Sequence, residues 1–125
     1  MLGVHALMAF LATRDAARAR AFYEGTLGLR FVADEPFALV FDAHGTRLHL
    51  QKVDAFLPLP FTVLGWRVPD VGATAQVLAE RGVRFERYPG MMEQDALGVW
   101  TAPGGARVAW FRDPDGNVLS LTQLP

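Results

Sequence analysis

An internal repeat constrains the fold of this chain more than any other feature of its sequence. An apolar run ends at Asp15, and a similar run, Trp-Arg-Val-Pro-Asp, ends 55 residues later at Asp70. The stretch Gly-Thr-Arg-Leu-His-Leu-Gln that starts at Gly45 is matched 71 residues later by Gly-Asn-Val-Leu-Ser-Leu-Thr, which starts at Gly116. The sequence therefore predicts two copies of one supersecondary unit, related by a pseudo-twofold axis.

Each copy is predicted to contain a strand, a helix and three further strands. Asp15 and Asp70 are predicted N-caps, because a carboxylate there accepts from free amides of the first helical turn and meets the positive end of the helix dipole. The helices are predicted at 16–26 and 71–81, and a glycine follows each of them. The strands of the first copy are predicted at 7–13, 29–33, 37–42 and 47–53, and 83–87 is predicted to repeat the second of these.

The last part of the chain has the pattern of a hairpin. Residues 113–116, Asp-Pro-Asp-Gly, have tight-turn chemistry, because proline presets φ, glycine tolerates positive φ and aspartate bonds nearby amides. After this turn, Val118, Ser120 and Thr122 alternate with two leucines. That period of two predicts a strand with one apolar face in the core and a second, more polar face where function is expected.

The length and composition indicate one ordinary globular domain. The 125 residues are expected to form a single domain built of modules 5–53 and 61–123, joined by a linker at 54–60 that contains two prolines. Twelve basic and thirteen acidic residues without charge blocks favour neither a nucleic acid nor a membrane as partner. The sequence contains no cysteine and no N-terminal targeting pattern, so we expect a cytoplasmic protein.

One insertion interrupts the repeat. Residues 89–105 form a segment that is long for a compact domain and unusually apolar, with Met91, Met92, Leu97 and Trp100. Such segments serve as lids over ligands, but these four side chains are equally suited to cover the end of the core or a subunit interface. The sequence leaves both interpretations open.

Two stretches resemble the signatures of a known family. Residues 15–28, Asp-Ala-Ala-Arg-Ala-Arg-Ala-Phe-Tyr-Glu-Gly-Thr-Leu-Gly, and 111–121, Phe-Arg-Asp-Pro-Asp-Gly-Asn-Val-Leu-Ser-Leu, resemble those of the vicinal oxygen chelate superfamily. That group includes glyoxalase I, extradiol dioxygenases, and bleomycin- and fosfomycin-resistance proteins. The resemblance implies an α+β fold in which two βαβββ modules form a curled mixed sheet, a cup with helices outside and a ligand cavity inside. It also implies a homodimer, with the drug site of the resistance proteins at the dimer interface.

The resemblance places the family's four metal-ligand positions on Met8, His49, Val63 and Ser120. One imidazole, a hydroxyl, a thioether and an isopropyl group do not supply the three or four N or O donors of a catalytic divalent ion. We therefore expect no metal and no other cofactor. The alternative is a divalent metal with non-standard ligands, such as Gln51 beside His49, or Glu93 or Asp95 from the insertion. His5 lies three residues before Met8, and strand alternation directs it to the opposite face.

Alternation from these four positions defines the predicted inner face, an apolar surface with a few polar groups that suits a small molecule. The predicted ligand-binding residues are Met8, Phe10, Arg47, His49, Gln51, Val63, Arg67, Trp100, Ser120 and Thr122. His49 is the only catalytic candidate, and a hydrogen-bonding or structural role remains open for it. Trp66 is predicted to lie in the core under the second helix, whereas either Trp110 or Phe111 is compatible with the inner face.

Three functions fit these observations. The first is a metal-free binding protein that sequesters a hydrophobic or aromatic small molecule. The second is an enzyme of the superfamily, a lyase, isomerase or dioxygenase, acting through non-standard metal ligands or through His49 and an arginine. The third is a dimeric scaffold whose cavity is filled by its own side chains. The sequence does not decide whether a reaction is catalysed.

Overall fold

The computed structural model describes residues 1–125, and the chain divides into two compact units, Met1–Leu57 (unit 1) and Pro58–Pro125 (unit 2). Each unit contains one four-stranded mixed sheet and one main helix. The predicted α+β architecture of two repeated modules is confirmed. No helix has the length and apolar character needed to cross a lipid bilayer.

Unit 1 has its sheet in the order β1-β4-β3-β2. Its strands are β1 Met8–Thr13, β2 Arg30–Asp34, β3 Ala38–Ala43 and β4 Thr46–Lys52, preceded by a 3-10 turn at Leu2–Val4. The first strand pairs in parallel with the last, and the other pairs are antiparallel. The hairpin between β3 and β4 turns at His44 and Gly45, which both have positive φ, as a two-residue hairpin turn requires.

The first helix has the predicted extent but not a uniform winding. Helix α1 covers Ala16–Arg20 and continues as a π-helical turn over Ala21–Thr26. Asp15 caps it by accepting a hydrogen bond from the Arg18 amide at 3.1 Å. The wider turn closes with an i to i−5 bond from the Leu27 amide to the Phe22 carbonyl, and Gly28 follows with φ +76°. The predicted cap and stop are thus confirmed.

Unit 2 repeats the topology of unit 1, with the order β5-β8-β7-β6. Its strands are β5 Thr62–Arg67, β6 Trp100–Thr101, β7 Arg107–Arg112 and β8 Val118–Gln123, and its helix α2 is Val71–Glu80. Asp70 caps α2 by accepting from the Ala73 amide at 3.0 Å, as predicted. The first and last strands again pair in parallel.

The prediction of a strand at 83–87 was wrong. Phe85 forms only a single bridge to Phe111, supported by the hydrogen bond from the Glu86 amide to the Trp110 carbonyl. The fourth strand is instead β6, which lies inside the 89–105 insertion and pairs with the other end of β7. Because the two segments share the free edge of β7, neither has room for a long strand.

One face of each sheet packs against its helix. In unit 1 this face carries Leu39, Phe41, Leu48 and Leu50, which are buried with Tyr23 of the π-helical turn. In unit 2 it carries Phe111, Leu119 and Leu121, which are buried together with three residues of α2, namely Val71, Ala75 and Leu78. We call the opposite face of each sheet the open face of that unit, although Val40 and Ser120 on these faces are themselves buried.

The Asp-Pro-Asp-Gly turn joins β7 and β8 through a buried carboxylate. Asp113 is only 6% exposed. Its side chain accepts from the Asp115 amide at 2.9 Å, the Asn117 amide at 2.9 Å and the Asn117 side-chain amide at 2.8 Å. Gly116 completes the turn with φ +91°. This carboxylate satisfies the turn's amides where no regular strand pairing reaches them.

We expect Asp113→Ala to lower the free energy of unfolding by about 3 kcal/mol, because it leaves buried donors without an acceptor. Urea denaturation measures the change. Asp54→Ala, which alters an exposed aspartate, is the control and should change stability by less than about 0.5 kcal/mol. Equal effects of the two substitutions would contradict the structural role of the turn carboxylate.

Candidate functional site

The open face of unit 1 is organised in rows that cross its four strands. Paired residues in neighbouring strands direct their side chains to the same face of a sheet. The register aligns Phe10 with His49, His49 with Val40, and Val40 with Ala33. We call these four residues the aromatic row.

The aromatic row contains one stacked pair of rings. The Phe10 ring stacks on the His49 imidazole with 5.2 Å between ring centroids and 27° between planes. Phe10 remains 54% exposed. The two strand neighbours of His49 in the row, Phe10 and Val40, are neither acids nor bases and cannot exchange a proton with it.

A charged row lies beside the aromatic row. The register aligns Met8 with Arg47, Arg47 with Asp42, and Asp42 with Arg30. Both guanidinium groups lie 3.8 Å from the Asp42 carboxylate. The row therefore carries two positive charges and one negative charge, next to Met8, which is 53% exposed.

The remaining row of this face is small and polar. Gln51 pairs with Ala12 on one side and with Ala38 on the other, and its side chain is exposed. The structure thus places five of the predicted ligand-binding residues on one face of unit 1. They are Met8, Phe10, Arg47, His49 and Gln51.

The open face of unit 2 includes Trp110, which resolves the alternative that the sequence left open. Trp110 pairs with Ser120, whereas Phe111 pairs with Leu119 on the buried face. Phe111 stacks with Trp66 at 6.4 Å and 19°. Trp66 therefore lies on the core face of its sheet, as predicted, but it stays partly exposed.

Trp110 belongs to an aromatic cluster with Tyr88 and Trp100. Its ring lies 5.6 Å from Tyr88 at 85° and 6.1 Å from Trp100 at 31°. Trp100 is partly exposed and also borders a cleft of about 540 Å³ whose other lining residues include Glu93 and Asp95. Trp100 therefore contacts the open-face tryptophan and keeps part of its surface accessible.

The insertion is tied to the rest of unit 2 by Gln94. The Gln94 side chain accepts from the Tyr88 amide at 2.8 Å and donates to the carbonyls of Glu86 and Gly98 at 2.9 Å. Arg87 donates to two further carbonyls of the insertion. Sequence reasoning missed Gln94, since a single glutamine outside any periodic pattern gives no local signal of such a role.

The predicted ligand-binding residues of unit 2 differ in their exposure and in their strand pairing. Ser120 is 7% exposed, and a Cβ added at Gly65 would lie 2.6 Å from its hydroxyl oxygen, so this hydroxyl occupies the space above the glycine. Arg67 pairs with Thr122 on the same face, and its side chain is exposed. Val63 falls at a register shift of β5, so strand pairing does not assign it a partner in β8.

These residues do not fit a divalent metal. Among the four positions that the resemblance assigns to metal ligands, His49 alone is a strong donor. The hydroxyl of Ser120 is packed against the backbone at Gly65. Nowhere in the chain do three or more His, Asp or Glu side chains form a group that could hold a metal ion. His5 lies before β1, at the end of the 3-10 turn, and is exposed, so the prediction that strand alternation directs its side chain was wrong.

Burial raises the pKa of the Tyr88 phenol above its ordinary value of about 10; the Glu86 carboxylate raises it further, and Arg112 opposes both.

We expect Glu86→Gln to lower the pKa of Tyr88 and Arg112→Gln to raise it. Absorbance titration measures the pKa in both variants. Subtraction of the curve for Tyr88→Phe separates the signal of the Tyr88 phenol from that of Tyr23. The folded state holds the phenol proton of Tyr88 more tightly than the unfolded chain does. The resulting contribution to the free energy of unfolding is present below about pH 10 and is lost as the pH rises through the raised pKa. Shifts of the same sign in both variants would contradict the assignment.

Solved structures match the chain over nearly its whole length. An antibiotic-binding protein, TnmS3 from Streptomyces sp. CB03234, is 32% identical with a TM-score of 0.66, and the match covers 97% of this chain and 96% of that one. A superfamily member from Sphaerobacter thermophilus is 27% identical with a TM-score of 0.75, over 96% and 97% of the two chains. A lactoylglutathione lyase from Agrobacterium tumefaciens is 20% identical with a TM-score of 0.73, over 96% and 93%.

Comparison with curated protein sequences gave no significant match. The model of the Glyoxalase/Bleomycin resistance protein/Dioxygenase superfamily matches residues 4–121. This range includes both repeated units and both signature stretches, at 15–28 and 111–121. The chain therefore belongs to the glyoxalase/bleomycin resistance protein/dioxygenase superfamily.

Proposed function

We propose that this protein binds and sequesters a small hydrophobic or aromatic molecule without using a metal ion. The observation that carries the proposal is the open face of unit 1, where Met8 and Phe10 remain 53% and 54% exposed although they lie within a paired strand. The open face of an ordinary sheet carries polar side chains, whereas a contiguous apolar surface with a few polar groups is typical of a ligand site.

The energetics favour an apolar or aromatic ligand on this face. Covering a large apolar side chain that is otherwise exposed contributes about 1.5–3 kcal/mol when the burial is complete. The stacked pair of Phe10 and His49 offers aromatic surface, and rings add a further ~0.5–1.5 kcal/mol when they stack with an offset or edge to face. In unit 2, Trp110 and Trp100 offer a second aromatic surface of the same kind.

Two further observations support binding rather than metal chemistry. The antibiotic-binding protein from Streptomyces is similar to this chain at 32% identity over nearly the full length of both. The lyase from Agrobacterium tumefaciens, at 20% identity, shows the fold alone and lends no activity to this chain. The donor set at Met8, His49, Val63 and Ser120 also gives a metal-dependent reaction only one strong protein ligand.

We expect the uncharged fluorophore N-phenylnaphthylamine to bind saturably, with fluorescence enhancement as the readout. Phe10→Ala should raise its dissociation constant by about tenfold, because it removes about 1.4 kcal/mol of ring contact. The matched control is Phe37→Ala, which removes a ring that is 83% exposed and lies outside the strands. Unsaturable binding, or equal effects of the two variants, would count against the proposal.

The same titration distinguishes the ligand from a second copy of the chain. A homodimer is part of this proposal, and light scattering with and without the fluorophore reports the association state. If the apolar face served only as a filled dimer interface, dimerisation would exclude the fluorophore. Binding to the dimer as well as to the monomer supports a ligand site.

Metal analysis tests the metal-free part of the proposal. We expect protein purified without chelators to contain far less than one divalent ion per chain, and His49→Ala to leave that content unchanged. A stoichiometric ion that disappears in His49→Ala would show that a metal is bound through non-standard ligands. In that case the enzymatic alternative would replace the binding function.

A further inference from the structure

We propose that the ligand of the open face of unit 1 is an amphipathic anion, with an aromatic body on the aromatic row and an acidic group held by Arg47 and Arg30. This inference rests on the proposed binding function and narrows it to a chemical class. It follows from the charge balance of the charged row and from its distance to the aromatic row.

The two rows lie at a separation that suits one small molecule. Arg47 and His49 are two residues apart on β4, as Met8 and Phe10 are on β1. Two residues of a strand span about 7 Å, roughly the length of one or two fused rings. A ring system lying on Phe10 and His49 therefore brings a substituent at its edge to the guanidinium of Arg47.

The charged row has positive charge left after its internal pairing. Asp42 has both arginines as neighbours at 3.8 Å, and its second oxygen also accepts from the Gly45 amide at 3.3 Å. These nitrogen to oxygen distances exceed those of direct hydrogen bonds, about 2.7–3.2 Å, so the guanidinium groups retain donors for another acceptor. Arginine binds carboxylate, sulfonate and phosphate groups through two parallel hydrogen bonds.

Burial differs across this row in the way that an anion site requires. The Asp42 side chain is 18% exposed, while those of Arg47 and Arg30 are 44% and 64% exposed. The carboxylate thus lies between the two cations and is less accessible to solvent than either of them. An incoming anion meets guanidinium groups before it meets the carboxylate.

No second acid neutralises the face. The aromatic row and the row of Gln51 contain no acidic residue, so Asp42 is the only carboxylate that the register places on the open face of unit 1. Asp34, the other acid of the sheet, pairs with Leu39 on the opposite face and forms an ion pair with Lys52. A cationic ligand would therefore meet a net positive charge here.

A matched pair of probes tests the inference. Anilinonaphthalene sulfonate is the sulfonated form of N-phenylnaphthylamine, so the two differ by one negative charge on the same aromatic body. We expect the sulfonate to bind at least fivefold more tightly to the wild-type protein. Raising the salt concentration from about 50 mM to about 500 mM should weaken the sulfonate alone, because screening acts on its ionic contact.

Substitution of Arg47 tests whether the preference for the sulfonate arises at the charged row. Arg47→Gln should remove the advantage of the sulfonate, so that the affinity for the sulfonate falls at least fivefold more than the affinity for the uncharged probe. Arg18→Gln, in the exposed part of α1, changes the net charge equally and should leave both affinities as they are. Arg30→Gln, at an exposed edge-strand position, should cause a smaller loss for the sulfonate and serves if Arg47→Gln does not fold.

The outcomes separate this inference from the function on which it rests. Binding of the uncharged probe through Phe10, with no preference for the sulfonate, would overturn the inference and leave the binding function intact. Equal losses for both probes in Arg47→Gln would also overturn it, since they would indicate a change of structure. Failure of both probes to bind would overturn the two proposals together.

Discussion

The parallel pairing of the first and last strands in each unit is the contact on which the arrangement of side chains depends. Paired residues share a face, so the register of β1 with β4 places Phe10 beside His49, and that of β5 with β8 places Gly65 beside Ser120. A slip of one residue would move each row to the opposite side of its sheet. The leucines and phenylalanines of the buried faces oppose such a slip, because it would expose them to water. The apolar core thus determines which groups are presented to a ligand.

Local signals predicted most of the fold, and competition between distant segments explains the rest. Asp15 and Asp70 cap their helices as expected, because a cap depends only on the residues of its own turn. The phase of β4 was also predictable, since alternation at His49 is set by two adjacent leucines. The segment 83–87 has a strand pattern but shares the edge of β7 with β6, and that competition involves residues far apart in sequence. The π-helical turn within α1 has no signal in the sequence that we identify.

The two units have one topology and different surface chemistry. Unit 1 presents a stacked Phe10–His49 pair beside a charged row, whereas unit 2 presents tryptophans and a serine hydroxyl packed over glycine. Superfamily membership determines the course of the backbone, and the side chains on it determine the chemistry. For this reason the sequence predicted only part of the candidate site. Alternation indicated which residues share a face in unit 1, but the contacts of Gln94 and the position of Val63 depend on irregular backbone that no period describes.

The shared edge of β7 also limits how further strands can add to the sheet of unit 2. An exposed, regular edge strand is a template on which other chains polymerise into extended sheets. Here that edge is divided between the two residues of β6 and the lone bridge of Phe85, and Gln94 bridges to Trp100 on the outer side of β6. A foreign strand would find no straight row of free amides and carbonyls to continue. The insertion that enlarges unit 2 therefore also interrupts regular strand pairing at this edge of its sheet.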